Sequence, residues 1–229
     1  MYWQEAENKQ AFLVPSDIQD LSFRTAGKCL PLDHAHALSS AIQAVLPWLA
    51  SEAGSGIHLI HVAESGNGWF RPEDPASELL HLSRRTRLTL RVPEHRVEDA
   101  KALTGETLNI GGHDLTVGEA SNKLLSPLTT VFSRYVVDQG DGDETAFVEQ
   151  IVEQLGELDI SVRKLLCGKP HTFQLPERSL PVRSVLLADL KQAESIRLQQ
   201  HGLGPDRLLG CGLFLPHKGV APVRPDNDE

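Results

Sequence analysis

Apolar residues recur along the first half of the chain with two different periods, and the change between them predicts the order of its elements. Leu21–Leu30 is typical of a strand, and Asp33 then stands where a helix N-cap is expected. Pro47 ends the predicted helix. The apolar stripe of that helix has helical spacing: Leu38, Ala41, Ile42, Val45 and Leu49.

The remaining elements of this half are two strands, a helix and a hairpin. Ile57–Ala63 is a short apolar strand, followed by a Gly- and Pro-rich loop over Ser65–Ser77. A half-buried strand follows, in which Arg87, Thr89 and Arg91 alternate with Leu88, Leu90 and Val92. Glu94–Leu103 suits a helix, and Thr107–Val117 predicts a hairpin that turns at Gly111–Gly112. The order β-α-β-β-α-β is that of the ferredoxin-like unit, which RNA-recognition domains also use.

The second half can be interpreted in the same way. Its predicted strands and helices are Leu128–Val137, Glu144–Leu158, Ile160–Leu166, Phe173–Leu187 with interruptions at Pro176 and Pro181, Ala188–His201 and Gly212–Leu215. We therefore predict an α+β fold of two tandem ferredoxin-like (RRM-like) units. The predicted boundaries are an N-terminal extension over residues 1–20, domains over 21–120 and 121–219, and a disordered tail over 220–229.

Composition limits the classes of function. The 229 residues contain no apolar run of about 18, so we expect no membrane span. Three widely spaced cysteines indicate neither disulfides nor a zinc ribbon, which suits a reducing cytoplasm. The net charge of −9 argues against nucleic acid, but the charge is segregated. Residues 138–159 hold eight acids and no Lys or Arg, whereas residues 84–96 hold five arginines and one acid.

A glycine-rich segment near the C-terminus, Gly202–Gly219, joins the last helix to the last strand. Glycines allow backbone N–H groups to approach phosphates closely, and Arg207 and Lys218 add charge at its ends. Many such loops contain glycine for turn geometry alone. Together with the preceding Arg197-Leu-Gln-Gln-His201, the segment resembles the C-terminal signature of the CRISPR-associated repeat-processing endoribonucleases, the Cas-six family.

The N-terminal stretch Leu30-Pro-Leu-Asp-His-Ala-His-Ala-Leu38 resembles the opening motif of the same family, in its Myxan-type subfamily. The resemblance runs from about Phe23 to Pro216 and is specific at both ends. It implies two ferredoxin-like units, CRISPR repeat RNA or crRNA as ligand, and cleavage without a metal or cofactor. It further implies that the protein can remain with the cut repeat, together with other Cas subunits of an effector complex.

Metal-independent RNA cleavage needs a base for the ribose 2′-OH, and histidine suits that task. His34 and His36 both follow Asp33, and because they lie about 200° apart on a helix they cannot serve one site equally. A helix N-terminus disfavours a charged imidazole, which helps to keep a base neutral. The family's Asp-His falls on Asp33-His34, so we predict His34 as general base and His36 as second choice. The alternative is that His34 only packs or caps the helix.

The predicted RNA-binding residues are mostly basic, because arginine holds phosphate in a fixed fork. They are Lys28, Ser83, Arg84, Arg85, Arg87, Arg91, Arg207, Gly210, Gly212 and Lys218. Arg87 and Arg91 share one strand face, so they either line a groove or face water. The other basic positions are equally compatible with an ordinary solvated surface.

Two rival functions remain open. One is a binding subunit of the same fold that holds repeat RNA without cutting it. The other is a two-histidine cyclic phosphodiesterase, for which His81-Leu-Ser83 supplies one motif but His171-Thr-Phe173 has the wrong third residue. His58 and His61 would point to opposite faces of a strand and have no third ligand nearby, so we predict no zinc site.

Overall fold

Two antiparallel sheets, each with helices packed on one face, form the architecture of this computed structural model, which describes residues 12–61, 79–140 and 142–218. The predicted loop Ser65–Ser77, the predicted tail over 220–229 and residues 1–11 of the predicted extension lie outside the described residues. No helix in the described part of the chain is long and apolar enough to span a membrane.

The described residues of the first unit form seven strands and two short helices. Its elements are β1 (Ile18–Ala26), β2 (Cys29–Pro31), α1 (Ala35–Val45), β3 (Gly56–His58), β4 (Leu79–His81), β5 (Arg87–Pro93), α2 (Val97–Ala100), β6 (Thr107–Ile110) and β7 (His113–Leu124). Five strands form a sheet in the order β3-β5-β1-β7-β6, while β2 and β4 pair separately. The pairing of β1 between β5 and β7 is the strand order of a ferredoxin-like unit, with β6 added by the hairpin.

The second unit repeats this arrangement. Its elements are β8 (Val131–Val137), α3 (Glu144–Glu157), β9 (Lys164–Cys167), β10 (His171–Gln174), β11 (Ser179–Ala188), α4 (Gln192–His201) and β12 (Leu215–Pro216). The sheet order is β10-β11-β8-β12, and β9 pairs with the far end of β11. The prediction of two tandem ferredoxin-like units is therefore confirmed.

Apolar residues at the predicted spacings form the two main cores. Leu38 and Ile42 of α1 pack on Leu21, Leu88 and Leu90 of the first sheet. In the second unit, the helix stripe Phe147, Ile151 and Leu155 packs on the strand residues Val131, Val185 and Leu187. Each sheet thus buries one face under its helices and leaves the opposite face for other contacts.

Several predicted boundaries are wrong for identifiable reasons. Leu21–Leu30 is not one strand, because the chain leaves the sheet after Ala26 and pairs again from Cys29 in the small sheet. The helix predicted over Ala188–His201 begins only at Gln192, since β11 continues to Ala188 and Asp189 adopts a positive φ of 60°. Pro181 does not interrupt β11; it pairs with Thr172. The last strand is confined to Leu215–Pro216.

The two units meet across the outer face of the first sheet, at a buried arginine. Arg91 is fully buried, and its guanidinium donates to both carboxylate oxygens of Asp20, at 2.8 and 3.0 Å. It also donates to the carbonyl oxygens of Gln199 and Phe214 in the second unit, at 2.8 and 3.0 Å. The expectation that Arg91 lines a groove or faces water is therefore wrong. Its side chain holds the second unit against the first.

Candidate functional site

The two histidines at the start of α1 have very different surroundings. His34 is 3% exposed, and its Nδ1 lies 2.9 Å from the Pro31 carbonyl oxygen. The Ile60 backbone N–H donates to its Nε2 at 3.2 Å. A ring that accepts at Nε2 and donates at Nδ1 is the neutral tautomer, as inferred from its hydrogen bonds. His34 thus ties the start of α1 to the Leu59–Ile60 segment.

His34, not Asp33, occupies the N-cap position of α1, and it makes no side-chain capping bond. The prediction of Asp33 as N-cap is therefore wrong. The Asp33 carboxylate instead accepts a hydrogen bond from the backbone N–H of Gln174 in the second unit, at 3.3 Å. The Asp-His pair thus connects the helix start both to its own unit and to the neighbouring one.

His36 lies on the exposed face of α1 and lines a cavity of about 450 Å³. Ser40 and Gln43 of the same helix share that wall, because positions four and seven residues after His36 lie on the same helix face. The opposite wall is the Gly204–Leu209 part of the glycine-rich segment. The N-terminal motif that contains His36 and the glycine-rich segment therefore line the same cavity.

Glu52 also lines this cavity. A hydrogen bond from Arg96 lowers its pKa from the usual value, with the nearby His95 acting in the same direction. The carboxylate is therefore ionised at neutral pH. Its charge is paired with the Arg96 guanidinium, whose Nε lies 2.7 Å from Oε2 of Glu52.

Arg207 anchors the glycine-rich segment to the first unit. Its guanidinium donates to the carbonyl oxygens of Gly54 and Ser55 at 2.9 and 3.0 Å. It also donates to the carbonyl oxygens of Gln200 and His201 at the end of α4. Burial lowers the pKa of Arg207 to about 10. Its donors thus serve the joint between the units, and RNA contact through this side chain is not what the geometry supports.

Gly210 and Gly212 serve close packing. Both have positive φ, 83° and 67°. A Cβ at Gly210 would lie 2.6 Å from the Leu59 side chain, and one at Gly212 would collide with the Leu203 carbonyl oxygen. The Gly212 N–H donates to the Tyr135 carbonyl oxygen at 2.7 Å. Both glycines thus approach other protein atoms closely, a side chain at Gly210 and a backbone carbonyl at Gly212, where the sequence predicted an approach to phosphate.

Basic side chains gather at one end of the first sheet, where β1 ends and β5 begins. We call this set the arginine edge: Arg24, Lys28, Arg84, Arg85 and Arg87, all exposed. The Leu82 N–H donates to the Lys28 carbonyl oxygen at 2.9 Å, which brings the two loops together. Ser83 lies in the same turn, where its hydroxyl accepts from the Arg85 N–H at 3.2 Å.

Arg24 is the member of this edge that the sequence analysis missed. It stands directly opposite Arg87 in the β1–β5 register. Like charges in facing positions destabilise a sheet, which favours a bound anion between them. No member of the arginine edge forms an ion pair within the described residues. Only pairing of β1 with β5 reveals the juxtaposition.

The other predicted positions are dispersed. Lys218 is exposed just beyond β12, on the second unit. His81 lies on β4 of the small sheet and His171 on β10 of the second sheet. His58 is half-buried beside Asp20, with 3.5 Å between its Nε2 and Oδ1 of the carboxylate. Within residues 12–61, 79–140 and 142–218, no group of three or more His, Cys, Asp or Glu side chains is arranged to hold a metal ion.

Comparison with known proteins identifies the family. The family model described as Cas6 Crispr matches residues 19–219. A curated relative from Myxococcus xanthus (strain DK1622), CRISPR-associated endonuclease Cas6, is 32% identical over 205 residues, which cover 90% of this chain and 84% of the relative. The chain belongs to the Cas6 family. The resemblance of its two terminal motifs to that family is thereby confirmed.

Solved Cas6 structures share the fold at low sequence identity. A structure titled CRISPR associated protein Cas6 superposes with a TM-score of 0.60 at 12% identity, covering 88% of this chain and all of that one. A Cas6-related protein from Pyrococcus furiosus gives 0.58 at 14% identity, covering 86% of this chain and 97% of its own. A third structure, titled as a RAMP protein binding different RNA substrates, gives 0.60 at 14% identity, covering 87% and 100%. The tandem ferredoxin-like architecture is thus that of Cas6 proteins.

Proposed function

We propose that this chain is an endoribonuclease that binds and cleaves CRISPR repeat RNA in precursor crRNA. Its Cas6 family membership and the endonuclease named in Myxococcus xanthus support this class of activity. The single observation that carries the proposal is the position of His36, an exposed imidazole on α1 that lines a cavity closed by the glycine-rich segment.

His36 acts as the general base in this proposal. It takes the proton from a ribose 2′-OH, and the resulting 2′-oxygen attacks the adjacent phosphorus. The bond from phosphorus to the 5′-oxygen breaks, and that oxygen takes up a proton from solvent. The products end in a 2′,3′-cyclic phosphate and a 5′-OH. These steps require no metal, because protein side chains supply the base and the positive charge.

His34 has a supporting task in this scheme, although it was our first choice as the base. Both of its ring nitrogens face backbone groups inside the protein, at Pro31 and Ile60. Proton transfer requires a base within hydrogen-bond reach of the substrate hydroxyl. We therefore assign the base to His36, our second choice, and assign to His34 the positioning of α1.

The arginine edge supplies the contacts to RNA phosphates. Its side chains are exposed, and Ser83 offers a hydroxyl in the same turn. Lys28 and His36 are eight positions apart in the chain, so their Cα atoms lie at most about 29 Å apart. One RNA segment can therefore cross both regions. We extend the proposal to retention of the cut repeat in a cytoplasmic effector complex with other Cas subunits, as the family resemblance implies.

A cleavage assay on a candidate repeat RNA, with EDTA present, tests the activity. We expect one cut, a product with a 2′,3′-cyclic phosphate and a product with a 5′-OH that a kinase labels directly. A matched RNA with 2′-deoxyribose at the scissile nucleotide is expected to bind but not to be cut. Loss of cutting in EDTA, or cutting of the 2′-deoxy RNA, would contradict the mechanism. Tight binding without any cut would identify a binding subunit, and hydrolysis of a cyclic phosphate alone would identify a phosphodiesterase.

A further inference from the structure

The outer face of the second sheet carries an apolar row in register across four strands. Leu166 pairs with Leu186, Leu186 with Phe132, and Phe132 with Leu215. Directly paired residues of antiparallel strands point to the same side of a sheet. The neighbouring Val131 belongs to the core under the helices. The row therefore faces away from the helices, and Leu166 and Leu215 are 64% and 42% exposed.

Phe132 is the aromatic member of this row, and the guanidinium of Arg134 and the imidazole of His217 flank its ring. The guanidinium carbon of Arg134 lies 5.9 Å from the ring centroid of Phe132. The His217 ring lies 6.0 Å away at an interplanar angle of 56°. Arg134 is exposed and makes no ion pair with any described residue. A flat apolar ring thus stands beside an uncompensated positive charge.

A recess of about 110 Å³ opens beside this ring, between the second sheet and the end of β3. The side chains that shape it include Phe132, Arg134 and Leu215 from the second unit and His61 from the first. No aspartate or glutamate is among its described lining residues. Its volume is below the roughly 300–1,000 Å³ of pockets that enclose a small molecule. It suits one planar group entering from a longer ligand.

We propose that this surface, which we call the stacking face (Phe132, Arg134, Leu186, Leu215 and His217), binds one unpaired nucleobase of the RNA. The base stacks on Phe132, and Arg134 contacts the phosphate next to it. The proposal rests on the proposed function only in requiring an RNA ligand. It adds a contact on the second unit, whereas the arginine edge and the His36 cavity wall belong to the first.

Charge and ring chemistry favour RNA over an apolar protein surface as the occupant. On this surface a base would stack on an aromatic ring and its phosphate would contact a cation. Proteins that bind single-stranded nucleic acid use the same combination of contacts. Sheets of RNA-recognition domains use their open faces in this way. A docked apolar protein surface would cover the Arg134 guanidinium without pairing it, which is costly.

Fluorescence titration with RNA tests the stacking face. The probe is the repeat RNA with 2-aminopurine placed in turn at each unpaired position. We expect the wild-type protein to quench the fluorescence of 2-aminopurine at one position. Phe132→Leu is expected to abolish that quenching and to weaken binding roughly 5- to 160-fold, the range for one base–aromatic stack. Phe132→Trp keeps an aromatic ring and is expected to retain both signals. Arg134→Ala, at an exposed position, is expected to lower the salt dependence of binding by about one phosphate contact.

Four outcomes would overturn the proposal, and they differ in what else they imply. Unchanged quenching and affinity in both Phe132→Leu and Arg134→Ala, with cleavage intact, would refute the stacking face alone. The same result combined with loss of self-association in sedimentation would identify a protein interface. Retained quenching in Phe132→Leu with reduced affinity would place the stacked base elsewhere. A wild-type protein that binds no RNA would refute this proposal and the proposed function together.

Discussion

Replacing Arg91 with methionine tests whether this arginine joins the two units or serves RNA. Methionine retains much of the side-chain length but leaves the Asp20 carboxylate without its main partner. It also leaves the carbonyl oxygens of Gln199 and Phe214 without their donor. Removing one member of a buried ion pair costs about 3–5 kcal/mol. We therefore expect the free energy of unfolding to fall by roughly that amount.

Urea unfolding at pH 7 measures this loss, and thermal unfolding is expected to shift by about 6–20 °C for a chain of this size. Arg87→Met is the matched control, because Arg87 lies on the same face of β5 but is exposed. It is expected to change stability by less than about 0.5 kcal/mol. It should instead reduce the salt dependence of RNA binding by about one phosphate contact.

An Arg91→Met variant within about 1 kcal/mol of the wild type would refute the assignment of Arg91 to the joint. A reduced salt dependence of RNA binding at unchanged stability would return Arg91 to the RNA-binding residues.

The pH dependence of stability offers a second check on the pair of Asp20 and Arg91. Burial acts to raise the pKa of Asp20, but Arg91 and then His58 outweigh it, so that pKa lies well below its usual range. The pair's contribution is therefore present above about pH 4 and is lost as pH falls further.

Two further changes test the buried joint and the glycine-rich segment. Burial lowers the pKa of His58, against the opposing effect of Asp20, so the unfolded chain binds its proton first as pH falls below about 6.5. His58→Gln is therefore expected to reduce the loss of Tm between pH 7.5 and 5.5, and an unchanged loss would contradict this. Gly212→Ala is expected to lower stability by several kcal/mol, because its Cβ would meet the Leu203 carbonyl oxygen at positive φ. Gly112→Ala, with positive φ and open space, should cost only about 1 kcal/mol, and equal losses in the two variants would refute the packing argument.

Periodicity and turn residues together were sufficient to predict the fold class and most of the element order, but not the small sheet of β2 and β4. The alternation in β5 predicted a strand, and the Gly111–Gly112 turn predicted the hairpin that ends in β7. These features depend on local backbone geometry and on which face is apolar. The same is true of the helix stripe in α1, which packs as predicted.

Features set by contacts between the units could not be predicted in this way. Arg91 and Asp20 are 71 residues apart in sequence. Phe214, whose carbonyl oxygen accepts a hydrogen bond from Arg91, is 123 residues away from it. A polar position on an alternating strand is ordinarily exposed, and nothing local indicates that the second unit covers it. The end of β11 was missed for a different reason, because Ala188 has helical propensity but lies in a strand that tertiary pairing extends.

In the candidate site, too, some features follow from local sequence and others only from long-range contacts. The sequence indicated His34 and His36 as candidates for the base, but only the fold shows that Pro31 and Ile60 enclose one ring while the other lines a cavity. The sequence likewise indicated the run of arginines from residue 84, yet the facing partner at Arg24 follows only from strand register. Local chemistry thus identified the residue types, and long-range pairing selected among them.

The single-turnover cleavage rate of His36→Ala on cognate repeat RNA, measured beside its RNA affinity, tests the central claim most directly. Loss of a general base is expected to slow cleavage about 10²- to 10⁴-fold, with affinity within about twofold of the wild type. His201→Ala, an exposed histidine on the second unit, is the control and should cleave normally. Unchanged cleavage by His36→Ala, combined with abolished cleavage by a folded His34→Ala variant, would contradict the account and make His34 the base.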